Sequence, residues 1–273
     1  MKTSSESLSC GICYSKKNVH FFRAEKPYTL YRCSECDLVF LKERERAPQT
    51  FLQDAEAKDK TEYWGFPQYF QKYSTIFDFY FEERFQRIKA AVPPEGEWLD
   101  IGSGYGLWQS FLKTKSVQCT GIEIEKNAFQ FSSNAGHDVS LISIEEFQTD
   151  KKFAVITMCD VLEHVEDPAM ILRKCKSLLK EGGLLYIQVP NVLGFKIPYG
   201  DHLGLPHHLW QFNPKSLGKL SKNSGFKIVD YWTGVQGVIK YHERGSFLLF
   251  HKLAWKLAMK MKRGNRLQLL LKN

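Results

Sequence analysis

The segment Glu97-Trp-Leu-Asp-Ile-Gly-Ser-Gly-Tyr-Gly106 constrains this chain more than any other. An apolar run carrying one acid, Asp100, ends in three glycines at alternate positions, and a helix-like stretch from Leu107 to Thr114 follows. Strand, glycine turn and helix in succession make the first half of a βαβ unit. Gly102, Gly104 and Gly106 let the backbone turn sharply and let a ligand approach the peptide groups with no Cβ in the way. The loop lacks a Lys-Ser/Thr pair, so it is not a phosphate-gripping P-loop. The next apolar run, Val117 to Ile122, closes on Glu123. An acid at the tip of a second parallel strand is placed to accept hydrogen bonds from ribose hydroxyls.

The alternation continues past this unit. Lys126 to Ala135 reads as a helix, Phe153 to Met158 as a strand and Pro168 to Leu179 as a helix. Leu184 to Val189 is a strand, Pro214 to Asn223 a helix and Phe226 to Thr233 a strand. Such alternation predicts an α/β fold with a mostly parallel sheet and helices on both faces. Upstream, Tyr63 to Val92 carries apolar residues at helical intervals and is stopped by Pro93 and Pro94. Its aromatics Tyr63, Trp64, Phe66 and Tyr69 have two readings, packing against the sheet edge or lining an acceptor pocket.

Four motifs carry a family resemblance. Asp100-Ile-Gly-Ser-Gly-Tyr-Gly resembles the first motif of class I S-adenosylmethionine-dependent methyltransferases, and Glu123 matches their ribose-binding acid. Phe153 to Pro168, with Cys159-Asp-Val-Leu-Glu-His164 inside it, resembles the fourth-strand motif. Leu178 to Gly183, followed by Leu184 to Pro190, resembles the turn and fifth strand. The resemblance covers roughly residues 90–235. It implies a Rossmann-like, mostly parallel seven-stranded sheet with S-adenosylmethionine as cofactor. The implied contacts are Asp100, Gly102, Ser103, Gly104, Gly106, Glu123, Ile124, Cys159, Asp160 and Val161. The family often has an acid after the third strand for the adenine amine. Here Leu141-Ile-Ser-Ile-Glu-Glu146 offers Ser143, Ile144 or Glu145.

Cys10, Cys13, Cys33 and Cys36 form two C-x-x-C pairs separated by nineteen residues. That spacing predicts a tetrahedral four-thiolate zinc site in a small ribbon-like module, structural because four protein ligands leave no open position. Cys119, Cys159 and Cys175 lie among apolar residues and read as ordinary thiols. Tyr28 to Tyr31 and Leu38 to Leu41 look like strands of the module.

Methyl transfer to an alcohol releases a proton, and histidine is the natural acceptor near neutral pH. Three histidines belong to segments that reach the carboxyl edge of the sheet: His164 after the fourth strand, and His207 and His208 in Gly204-Leu-Pro-His-His-Leu-Trp-Gln-Phe212. His208-Leu-Trp-Gln-Phe-Asn-Pro-Lys-Ser-Leu217 resembles a pattern common among small-molecule and sugar methyltransferases of this class. The bland reading of His164 is a structural one, orienting the loop that borders the cofactor, and that of His208 is a backbone hydrogen bond. A His-His pair with Asp201 or His202 is a further candidate set of metal ligands.

The net charge of +8 is unevenly placed. Residues 246–273 hold seven Lys or Arg and no acid, which leaves +1 for residues 1–245. A near-neutral body argues against nucleic acid as the partner. So does the lack of an Asn/Asp-Pro-Pro-aromatic motif after the fourth strand, the mark of base-amine methylating enzymes in this class. The intact glycines and Glu123 argue against a non-catalytic scaffold. A small-molecule or glycan acceptor is the expectation, with RNA the rival. Lys252, Lys256, Lys260 and Arg263 share one face of an expected basic amphipathic helix over 246–273. It docks on the protein, lies on an anionic membrane surface or contacts nucleic acid. The polar N-terminus and the lack of a long apolar run make the cytoplasm, or the inner membrane face, the expected compartment. The parts expected are a zinc module at 1–45, a connector with lid-like helices at 46–92, a core at 93–245 and the basic tail.

Overall fold

Two sheets organise the chain, seen in a computed structural model that describes residues 8–42, 67–72, 74–194, 203–234 and 246–273. Tyr63, Trp64, Phe66, the Tyr69 side chain, Asp201 and His202 lie outside the described residues. The N-terminal module contributes β1 (Val19–Glu25), β2 (Tyr28–Cys33) and β3 (Val39–Leu41), an antiparallel meander. Helices α1 (Pro67–Lys72) and α2 (Ser74–Ala90) follow.

The core then alternates. β4 (Trp98–Ile101) and β5 (Cys119–Glu123) flank α3 (Leu107–Thr114), and β6 (Val139–Leu141) follows α4 (Lys126–Asn134). β7 (Phe153–Cys159) and β8 (Leu179–Pro190) flank α5 (Pro168–Leu178). A two-residue strand β9 (Trp210–Gln211) precedes α6 (Pro214–Asn223), β10 (Lys227–Gly234), α7 (Ser246–Met261) and β11 (Arg266–Lys272). The large sheet runs β10-β11-β8-β7-β4-β5-β6. All pairings from β6 to β8 are parallel, whereas β11 is antiparallel to both neighbours. This is the expected mostly parallel seven-stranded sheet.

Local chemistry explains the helix starts. Glu125, Asp167 and Asn213 cap α4, α5 and α6 by accepting backbone N–H bonds, and Pro168 and Pro214 occupy first-turn positions. Asn213 and Ser216 form a reciprocal capping box. Phe153 to Met158 is buried throughout, as a central parallel strand covered on both faces must be. α2 lays Phe85 and Ile88 against Trp98, Trp108 and Leu112, so its aromatics build core as well as surface.

The tail differs from expectation. Only Ser246–Met261 is helical, so Arg263 is beyond the helix, and Arg266–Lys272 inserts as a strand between β8 and β10. Leu267, Leu269, Leu270 and Leu271 are all buried there. The turn at Gly264 requires glycine, because a Cβ would sit 2.2 Å from the Gly234 carbonyl oxygen. The core therefore does not end at residue 245; its last strand comes from the tail. Nor is the N-terminal module free-standing. β9 pairs with β3, so residues of the core complete the small sheet.

Candidate active site

The parallel order β7-β4-β5 brings the carboxyl ends of these three strands side by side, and the glycine loop leaves β4 between the other two. Gly102, Gly104 and Gly106 all have positive φ, between 54° and 75°. A Cβ on Gly102 would strike Val161, and one on Gly106 would strike Ser132 and His137. At Gly104 nothing lies within 4 Å, so this backbone faces open space where a ligand can reach it. Glu123, nearly buried at the end of β5, accepts from the Gly104, Ile124 and Glu125 N–H groups at 2.7–2.8 Å. Ile124 beside it is an exposed apolar side chain. This combination of bare backbone, acid and exposed isoleucine fits the ribose and adenine of S-adenosylmethionine. Beyond β6, Ile144 turns into the core, leaving Ser143 and the exposed Glu145 on the outer side.

Asp100 lies beneath the loop. Burial raises its carboxyl to about 6, opposed by the Thr157 hydroxyl, which donates to Oδ1 at 2.6 Å, and by Arg84. Arg84, on α2, is a buried cation set 4.7 Å from the Trp108 ring and 5.1 Å from Tyr186. Sequence reasoning missed it, because one arginine within an aromatic helix carries no signal until the helix packs across Asp100. Arg266 was missed for the same kind of reason. It enters from β11 and pairs with Asp160 at 3.3 Å, while Gln188 donates to the other Asp160 oxygen at 3.0 Å. Asp160 itself holds a left-handed φ of 54°, a strain that clusters at functional sites.

The three histidines converge past β7. His164 Nδ1 lies 3.0 Å from the His207 carbonyl oxygen, which makes it the donor and leaves Nε2 with a lone pair. His164 and His208 meet edge to face at 4.8 Å between centroids. Gly204 is required below them, since a Cβ there would enter the His208 ring. Burial holds both imidazoles below their ordinary value, His208 well below. Glu163 is wholly buried beside them, and neither carboxylate oxygen has a hydrogen-bond partner. Burial, reinforced by Asp160, pushes its carboxyl well above the ordinary range. Ligand atoms of Glu163, His164 and His208 all lie within 4.8 Å of one another, a set able to hold a cation. The Glu163 carbonyl accepts the Leu209 and Trp210 N–H groups, which locks the histidine loop to the end of β7.

A family model described as methyltransferase domain matches residues 49–231. The chain belongs to this family. Among curated proteins, the ubiquinone biosynthesis O-methyltransferase of Xanthomonas axonopodis pv. citri is 30% identical, over 54% of this chain and 70% of that protein. The protein of the same name from Pseudomonas paraeruginosa is 27% identical, over 48% and 65%. The alignments thus span about two thirds of these relatives. A solved SAM-dependent methyltransferase from Archaeoglobus fulgidus has a TM-score of 0.53 at 17% identity, covering 74% of this chain and 100% of that one. A possible histamine N-methyltransferase from Thermotoga maritima has 0.54 at 18%, covering 82% and 96%. At these identities the structural likeness is one of fold. Together they make the chain a class I S-adenosylmethionine-dependent methyltransferase.

The family match leaves out the cysteine module of this methyltransferase. Its four sulfurs are gathered within 4.8 Å, with Cys10–Cys36 at 3.4 Å and Cys13–Cys33 at 3.5 Å. Four thiolates about 2.3 Å from one zinc would stand about 3.8 Å apart, so the set fits that ion. No disulfide forms among them. The module is keyed into the segment that follows the histidine loop. Gly11 rests on the Trp210 indole, where a Cβ would be 2.3 Å from the ring. Trp210 Nε1 donates to the Val165 carbonyl at 2.7 Å, and Asn213 Nδ2 donates to the Asp37 carbonyl at 2.7 Å.

Proposed function

We propose that this methyltransferase transfers the methyl group of S-adenosylmethionine to an oxygen of a small-molecule acceptor, with His208 as proton acceptor. The observation that carries the reading is the half-buried His164–His208 pair, edge to face at the carboxyl edge, on a loop locked to the segment that follows β7. Bound cofactor supplies a methyl group already activated on a sulfonium. Glu123 would hold the ribose hydroxyls, the glycine backbone would admit the cofactor, and Ile124 would cover the adenine. Alignment does most of the rest, because the displacement is in line. His164, fixed by the His207 carbonyl, braces the His208 ring. Zinc held by Cys10, Cys13, Cys33 and Cys36 would serve the fold of the module. The relatives' names, O-methyltransferases of ubiquinone biosynthesis, support an oxygen acceptor of small size. A sugar hydroxyl is the nearest alternative.

Glu163 favours a second reading, in which a divalent cation held with His164 and His208 polarises the acceptor oxygen. One experiment addresses both. Candidate hydroxyl compounds, glycans and tRNA are screened with labelled S-adenosylmethionine, and the accepted one is assayed with His208→Ala and with added Mn²⁺. The expected result is a loss of about 10²–10⁴-fold in turnover with unchanged cofactor affinity and no need for Mn²⁺. Full turnover of His208→Ala removes the base. Stimulation by Mn²⁺ that requires Glu163 selects the cation.

A further inference from the structure

We propose that the outer face of α7 is a docking surface for an anionic lipid bilayer. Leu249, Leu253, Leu257 and Met261 recur every fourth residue and are 76%, 64%, 55% and 46% exposed. At 100° per residue this spacing draws one slanting apolar stripe along the helix. Lys256 and Lys260 stand exposed beside it. Soluble surfaces scatter such side chains singly; four in a row mark a contact surface.

The stripe cannot turn inward, because the other side of α7 is engaged. Met259 lies against α2, where Arg87 Nη2 reaches its sulfur at 3.4 Å. Lys252 Nζ sits 5.5 Å from the Phe79 ring, also on α2, and Lys262 sits 4.5 Å from Tyr231 of β10. These contacts set the rotation of the helix and leave the stripe outside.

Charge selects the occupant. The helix Ser246–Met261 holds three lysines and no acid, whereas residues 1–245 together carry only +1. A second copy of this face would bring lysine rows against lysine rows with no acid to pair them. The surface asks for an apolar layer under a negative one, which is what the headgroup boundary of an anionic bilayer offers. Lysines would keep their ammonium groups among the headgroups while leucines sink below them. No described helix is long and apolar enough to cross a membrane, so the contact is lateral. Its position suits the enzyme. Gly234 and Arg266, where the chain leaves and re-enters the sheet around α7, are paired with each other at the carboxyl edge, and Arg266 touches Asp160 there. An acceptor carried on a lipid chain would be presented at the edge where the histidines stand.

The test uses the full zinc-loaded chain and does not depend on methyl transfer. Vesicles of phosphatidylcholine alone, and of phosphatidylcholine with phosphatidylglycerol, are co-sedimented with the protein at low and high salt. The variants are Leu249→Gln/Leu253→Gln/Leu257→Gln and Lys256→Glu/Lys260→Glu. All of these residues are exposed, and cofactor binding serves as the check on folding. The expected result is binding to the anionic vesicles only, weakened by salt as the Debye length shrinks from about 10 Å at 0.1 M to about 3 Å at 1 M. Each multiple variant should bind at least about tenfold more weakly. Three outcomes overturn the proposal: no binding, binding indifferent to both variants, or a dimer in sedimentation velocity that the leucine variant dissociates while vesicles are ignored.

Discussion

His208 shows how a residue's setting decides its chemistry. Desolvation, with the fields of His164 and Arg266, keeps its imidazole uncharged to a lower pH than a free histidine. A base works only while unprotonated, so a lowered pKa extends activity downward in pH. The acid limb of the turnover profile is therefore expected below 6.5, the ordinary histidine value. A limb at or above 6.5 would show that another group takes the proton. The same burial has a stability consequence of opposite benefit. Below about 6.5 the unfolded chain protonates this histidine while the native one resists, so stability falls as pH falls. Glu123 was legible at this scale because its place after a glycine unit names its task. Arg84 and Glu163 were not, since an arginine or glutamate gains meaning only when the fold buries it.

Between elements, the junction of β3 with β9 matters most for the site. The cysteine module meets the histidine loop through that pairing, the Gly11–Trp210 contact and the Asn213–Asp37 bond. Loss of zinc is expected to unfold residues 8–42, because the ion supplies the folding energy of so small a module. The histidine loop would then lose one wall. Hydrogen exchange after chelation should show the Leu209 and Trp210 amides, which donate to Glu163, at least about tenfold less protected, the equivalent of about one net hydrogen bond. Cofactor affinity should hold, as the described hydrogen bonds of Glu123 and the nearest neighbours of the loop glycines lie within the core. Unchanged protection would confine the module to some other task. Two C-x-x-C pairs announce the four-sulfur cluster, but a two-residue strand like β9 lies below what any periodicity can reveal.

At the scale of the molecule, the tail closes the sheet. β11 bonds β8 on one side and β10 on the other, with Leu267, Leu269, Leu270 and Leu271 buried. Burying four leucines contributes about 6–12 kcal/mol, at about 1.5–3 each. A domain has only about 5–15 kcal/mol in total. A chain ending at Arg263 is therefore expected not to fold, read as loss of a cooperative transition in circular dichroism. A folded, cofactor-binding truncation would refute this.

Much of the architecture was written locally. The glycine loop, Asp100, Glu123 and the caps at Glu125, Asp167 and Asn213 depend on neighbours a few residues away, so sequence spacing alone determines them. The paired cysteines likewise announce their cluster. What only tertiary structure decided depends on partners far along the chain. Leu267 to Leu271 is apolar enough for a helix or a strand, and the open ladder between β8 and β10 chose the strand. The three histidines became one group only when Glu163 accepted the amides of Leu209 and Trp210. The glycine loop was legible from the outset; long-range packing brought Arg84 to Asp100, Arg266 to Asp160 and Glu163 to the two histidines, because burial and pairing belong to the folded chain.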